Sequence, residues 1–148
     1  MSTNETPVVD LATLDSVGAC NQGSEIELKH PVTNAPLGVF VGILGKDSDA
    51  FRDHVRFSVN EDFRRAQLAK KRGKPEEAQT MEKNEARGVE LLIACTTGWR
   101  TGKEPTLKIG SEQLQFNVAN AKRVYENYPW IKAQVDEGIV DLENFMKG

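Results

Sequence analysis

A single proline, Pro129, does most to limit what this chain can fold into. Proline has a fixed φ and no backbone N–H, so it breaks a helix interior but suits a helix's first turn. Before it, Val118, Ala121, Tyr125 and Tyr128 recur at 3-4-3 spacing behind Asn117, a good N-cap. After it, Ile131 and Val135 begin a second apolar stripe that runs on through Ile139 and Leu142 to Phe145. The spacing predicts a helix, a sharp corner at Tyr128-Pro129, and a second helix. The corner presents Tyr128 and Trp130 together, either as a core anchor or as a docking surface.

Upstream, Glu25 to Leu44 predicts a β-hairpin. Ile26 and Leu28 alternate with Glu25, Glu27 and Lys29, and Pro31 to Pro36, with Asn34, supplies turn chemistry. Val39, Val41 and Ile43 then alternate with Gly38, Phe40, Gly42 and Leu44, so both faces of the second strand are mostly apolar. Two strands are not stable alone, and the pair must pack on helices or accept a partner's strand. Asp47 or Ser48 caps the next helix, where Phe51, Val55, Val59, Phe63 and Ala66 read as the core stripe. Phe57 and Leu68, eleven residues apart, share a second face. Burial of Phe51, Val55 and Phe63 leaves Phe57 without an obvious use in a monomer, which makes Phe57 and Leu68 the better hint of a partner surface.

Lys70 to Lys74 ends this helix with cations, and Pro75, Glu76 and Glu77 open another. That helix is highly charged to Arg87 and apolar from Val89 to Cys95, with Gly98 as its expected C-cap and Trp99 expected in the core. The two helices should form a long αα-hairpin. Leu107 and Ile109, then Leu114 and Phe116, flank Gly110-Ser111-Glu112 and allow a small hairpin or an extended loop. Near the start, Asp10 caps a short helical turn with Leu11, Leu14 and Val17. Residues 1–23 are read as a flexible N-terminal segment and 24–148 as a single globular domain. The expected fold class is α+β, mainly α-helical, with an N-terminal β-hairpin packed on about four helices.

Reactive constellations are weak. Gly98 to Lys103 superficially resembles a phosphate loop, but its glycines are three residues apart rather than four. Glu104 also stands where Ser or Thr should ligate magnesium. His30, His54, Cys20 and Cys95 are scattered without ligand spacing, and two cysteines in a chain of this size suit reduced thiols in a cytoplasm. No two carboxylates are isolated in an apolar stretch. Arg64, Arg65 and Lys70 to Lys74 are answered by Glu76, Glu77, Glu82 and Glu85, and the net charge is −3, which argues against nucleic acid. No apolar run reaches the length that spans a bilayer. Catalytic, cofactor and metal residues are therefore assigned to none. The candidate protein-binding residues are Phe57, Leu68, Tyr128 and Trp130.

Three passages carry a resemblance. They are Glu27-Leu-Lys-His-Pro-Val-Thr-Asn-Ala-Pro-Leu37, Leu44-Gly-Lys-Asp-Ser-Asp-Ala-Phe-Arg52, and a C-terminal set. The set comprises Gly98-Trp99, Phe116, Asn120, Ala121, Tyr125, Pro129-Trp130-Ile131, Gln134-Val135-Asp136 and Asn144-Phe145. In combination they resemble the small tail assembly chaperones of long-tailed, siphovirus-type bacteriophages. The resemblance covers most of the chain from about Glu25, and its motifs are structural rather than catalytic. It implies a non-enzymatic protein of the infected host's cytoplasm. Such a protein binds the tape measure protein and assists tail tube protein assembly around it; weak repeated contacts along one long client would favour many copies and self-association into a homo-oligomer. The alternative, of another class, is a structural virion protein of the tail or head–tail joint.

Overall fold

The computed structural model describes residues 8–73 and 81–146. The polar start at Met1 to Pro7 and the helix opening at Glu76 and Glu77 lie outside the described residues. A 3-10 turn, Leu11–Leu14, is capped by the Asp10 carboxylate, and α1 (Ser16–Gln22) by that of Asp15. Helix α1 sits within the segment read as flexible, yet its Cys20 is fully buried and the Cys20 carbonyl accepts from the Gly45 N–H. Gly45 makes this approach possible, since a Cβ there would overlap the Cys20 sulfur.

The sheet is the main correction to the expected fold. An N-terminal β-hairpin packed on about four helices is replaced, among the described residues, by two antiparallel sheets and five α-helices. The strands are spread through the middle of the chain from Ser24 to Gln115. Strands β1 (Ser24–Lys29) and β2 (Pro36–Ile43) are preceded by α1 and joined by β3 (Thr96–Thr101), in the order β1-β2-β3. Strand β3 occupies the stretch read as a helix end. Thr96 and Thr97 are β-branched and Trp99 is aromatic, residues suited to a pleated surface. The Leu44 N–H bonds the Cys95 carbonyl just before the β2–β3 ladder begins. Gly98, expected as a C-cap, instead pairs with Gly42 across the strands. A second sheet pairs β4 (Thr106–Ile109) with β5 (Glu112–Gln115) around Gly110, whose φ of 60° suits glycine.

Helices α2 (Asp49–Lys71), α3 (Met81–Ala94), α4 (Val118–Asn127) and α5 (Pro129–Val140) complete the chain. The Asn117 side chain caps α4, and Pro129 stands in the first turn of α5. Helix α5 crosses the inner face of the larger sheet at Gly138, where a Cβ would meet Ile26 and Ile43 at 3.1 Å. The core gathers Leu28, Val41 and Ile43 from that sheet with Leu92, Val124, Tyr125, Val135 and Ile139 from α3, α4 and α5. Trp99 links the two sheets: its indole N–H donates to the Leu114 carbonyl at 2.9 Å, and its ring stands edge-on to Phe116 at 5.1 Å.

The outer face of the larger sheet is polar and tied across strands. Arg100 lies 4.0 Å over the Phe40 ring and makes two hydrogen bonds to the Glu25 carboxylate at 2.6 and 2.9 Å. Those bonds hold the Glu25 carboxyl below its usual range. The free edge of β1 is closed at Lys29, whose backbone N–H and C=O both bond the Gln134 side-chain amide at 2.8 Å.

Candidate protein-binding surfaces

Helix α2 joins the core only at its start, through Ala50 and Phe51. It has 23 residues and none is buried. The stripe read as core holds only in part on this helix: Phe51 packs against the core and Ala66 is partly covered, but Val55 is 40%, Val59 60% and Phe63 65% exposed. Periodicity shows that a helix has an apolar side, not which side the protein covers. The covered side is largely polar. Phe51, His54, Ser58, Asp62, Arg65 and Ala69 are partly covered at helical spacing, and Ala50, Glu61 and Ala66 beside them are partly covered too. Asp62 pairs with Arg87 of α3 at 2.9 Å, and His54 approaches Glu90 at 3.9 Å. At the helix start, the Asn21 side chain of α1 bonds the Asp49 backbone N–H at 2.8 Å.

Taking the side that faces α3 as reference, two exposed apolar flanks lie roughly 100° away in opposite directions. One carries Val55, Val59 and Phe63 at four-residue spacing, with Arg52, Arg56 and Lys70 along it. The other carries Phe57, 63% exposed, and Leu68, 40% exposed. The sequence singled out the second flank. It missed the first, because an i, i+4, i+8 apolar pattern is the ordinary signature of a buried face. The only local signal against burial was the arginine pair on that same flank.

The other two candidates, Tyr128 and Trp130, lie at the α4–α5 corner, more than a helix away in the chain, and both are half-buried against the core. They line an apolar slot of about 150 Å³ with Leu28, Leu37, Val39 and Ile109. That slot separates the sheets from the corner. The four candidates therefore form two regions: Phe57 and Leu68 on an open helix face, Tyr128 and Trp130 as walls of a narrow cleft.

Chemistry is sparse. Cys20 and Cys95 are both buried free thiols, and burial pushes the Cys95 thiol up to about 11. A thiol in that state is a poor nucleophile near neutrality. Among the described residues no cluster of His, Cys, Asp or Glu has metal-site geometry. The Gly98 to Lys103 stretch is the end of β3 followed by a turn, with Gly102 at a φ of 57°, and it precedes no helix that could present a phosphate nest. No helix among the described residues is long and apolar enough to cross a membrane.

The chain matches no protein-family model, no curated protein and no solved structure. The architecture places it among α+β proteins with two small antiparallel sheets.

Proposed function

We propose that this chain is a tail assembly chaperone of long-tailed bacteriophages. In this reading it is not an enzyme; it engages amphipathic helices of the tape measure protein in the host cytoplasm while tail tube protein subunits assemble. One observation carries the client-binding part. A 23-residue helix keeps Val55, Val59 and Phe63 in solvent while the rest of the chain builds a complete core without them. An open apolar stripe on a helix is a docking element for another helix. Arg52, Arg56 and Lys70 along the stripe favour a client helix whose apolar side is bordered by carboxylates. The phage assignment rests on the three resembling passages.

Co-expression with the tape measure protein, followed by affinity capture, tests the reading. Capture in a complex that disperses the otherwise aggregating client is the expected result. A folded protein that captures none overturns it. Mass spectrometry of mature virions provides the second arm: absence is expected of a chaperone, while stoichiometric presence assigns the protein to the virion's tail or head–tail joint instead.

A further inference from the structure

The Phe57 flank of α2 has a symmetry that the Val55 flank lacks. Along it, Phe57, Glu61, Arg64 and Leu68 follow one another at 4-3-4 spacing, the seam of a helix that pairs with another helix. The seam's chemistry reads the same from both ends once charge is inverted. Phe57 and Leu68 are placed symmetrically about a point between Asp62 and Phe63. So are Glu61 and Arg64. Residues symmetric about one point are those that meet when two copies of a helix lie antiparallel on a twofold axis. In that arrangement Phe57 meets the second copy's Leu68 twice and Glu61 meets Arg64 twice.

Within one chain Arg64 and Glu61 are 3.2 Å apart and Arg56 and Asp53 3.4 Å apart, both surface i,i+3 pairs that are free to exchange partners. On the Val55 flank the corresponding antiparallel overlay brings Arg52, Arg56 and Lys70 of two copies onto one surface. Of the carboxylates nearby, Asp62 is held by Arg87 of α3, and Asp49, in a surface i,i+3 pair with Arg52, is outnumbered by the three cations. The charges thus favour a foreign partner there and a second copy on the Phe57 side.

We infer that the Phe57–Leu68 face of α2 is a homodimer interface in which two copies of α2 pack antiparallel. This pairing is independent of the phage reading, since it follows only from the chain's own charges and exposure. A contact of one helix length lies at the small end of specific interfaces, so the pairing is reversible rather than obligate. The client stripe lies on the opposite flank of the same helix and stays open in the dimer.

Sedimentation equilibrium of the full chain tests it through charge exchange. The wild type is expected to show a monomer–dimer equilibrium. Glu61→Arg alone sets arginine against arginine at both central contacts, and Arg64→Glu alone sets carboxylate against carboxylate there. Each is expected to weaken dimerisation roughly tenfold or more. An equimolar mixture of the two variants offers a heterodimer in which one chain presents arginine at both central positions and the other presents carboxylate at both. Both contacts are then attractive, and the heterodimer is expected to form at near wild-type strength. Circular dichroism of each variant shows whether α2 remains folded. A wild type that stays monomeric up to its solubility limit overturns the inference and leaves the face to another partner. So does a dimer indifferent to both substitutions, or a mixture that does not recover.

Discussion

Tyr125 shows how a side chain can be both core and polar here. Its ring is buried, and its hydroxyl lies 2.7 Å from the Thr96 hydroxyl, which itself donates to the Leu92 carbonyl at 2.6 Å. Thr96 has one proton and gives it to Leu92, so Tyr125 must be the donor to Thr96. Burial pushes the Tyr125 hydroxyl up to about 12 from an ordinary 10, and the Cys95 thiol up to about 11 from 9. Both groups fold in the protonated, neutral form. Their contribution is fully present below the unfolded values and is lost as pH rises through the folded ones. Thermal denaturation is therefore expected to show a melting temperature that falls from about pH 9 to pH 12. Tyr125→Phe should lower neutral-pH stability by about 1 kcal/mol and remove the upper part of that alkaline loss. Gly45→Ala forces a methyl against the Cys20 sulfur and should cost about 1–3 kcal/mol in a urea titration.

Among the elements, α2 and the α4–α5 corner behave oppositely. Trp130 walls the cleft and packs on the core, so Trp130→Ala should lower stability by about 1–3 kcal/mol, below the range for a fully buried ring. Val59→Ser and Phe63→Ser change exposed positions of α2 and should each alter stability by no more than about 0.5 kcal/mol. That contrast is measurable in one set of denaturation curves. It is also where the sequence was least legible. Asn117 as a cap and Pro129 as a helix start could be read directly, because capping and proline geometry act within a few residues. The fate of the Val55, Val59 and Phe63 stripe could not. It is decided by Asp62 meeting Arg87 and His54 meeting Glu90, contacts made by a different helix. Strand β3 escaped notice for a related reason. The apolar helix to Ala94 runs within two residues into Thr96-Thr97, and Gly98 serves a helix end or a strand crossing equally well until its partner Gly42 is known.

Taken whole, the molecule is a well-packed α+β body with one long helix laid on its side by polar contacts. The body accounts for stability: Trp99 joins its sheets, α5 seals the larger sheet at Gly138, and Gln134 closes the β1 edge. The helix accounts for the proposed function, since beyond Phe51 its Val55, Val59 and Phe63 stay outside the core. The slot at Trp130 holds about 150 Å³, and both thiols are buried. The central claim is that the Val55–Val59–Phe63 flank holds the client. The most direct measurement is the affinity of Phe63→Asp, with its fold checked by circular dichroism, for a helical segment of the tape measure protein. The expected result is a folded variant whose binding is weakened roughly tenfold or more, because a charge replaces an exposed anchor of a helix–helix contact. Binding equal to that of the wild type would contradict the claim.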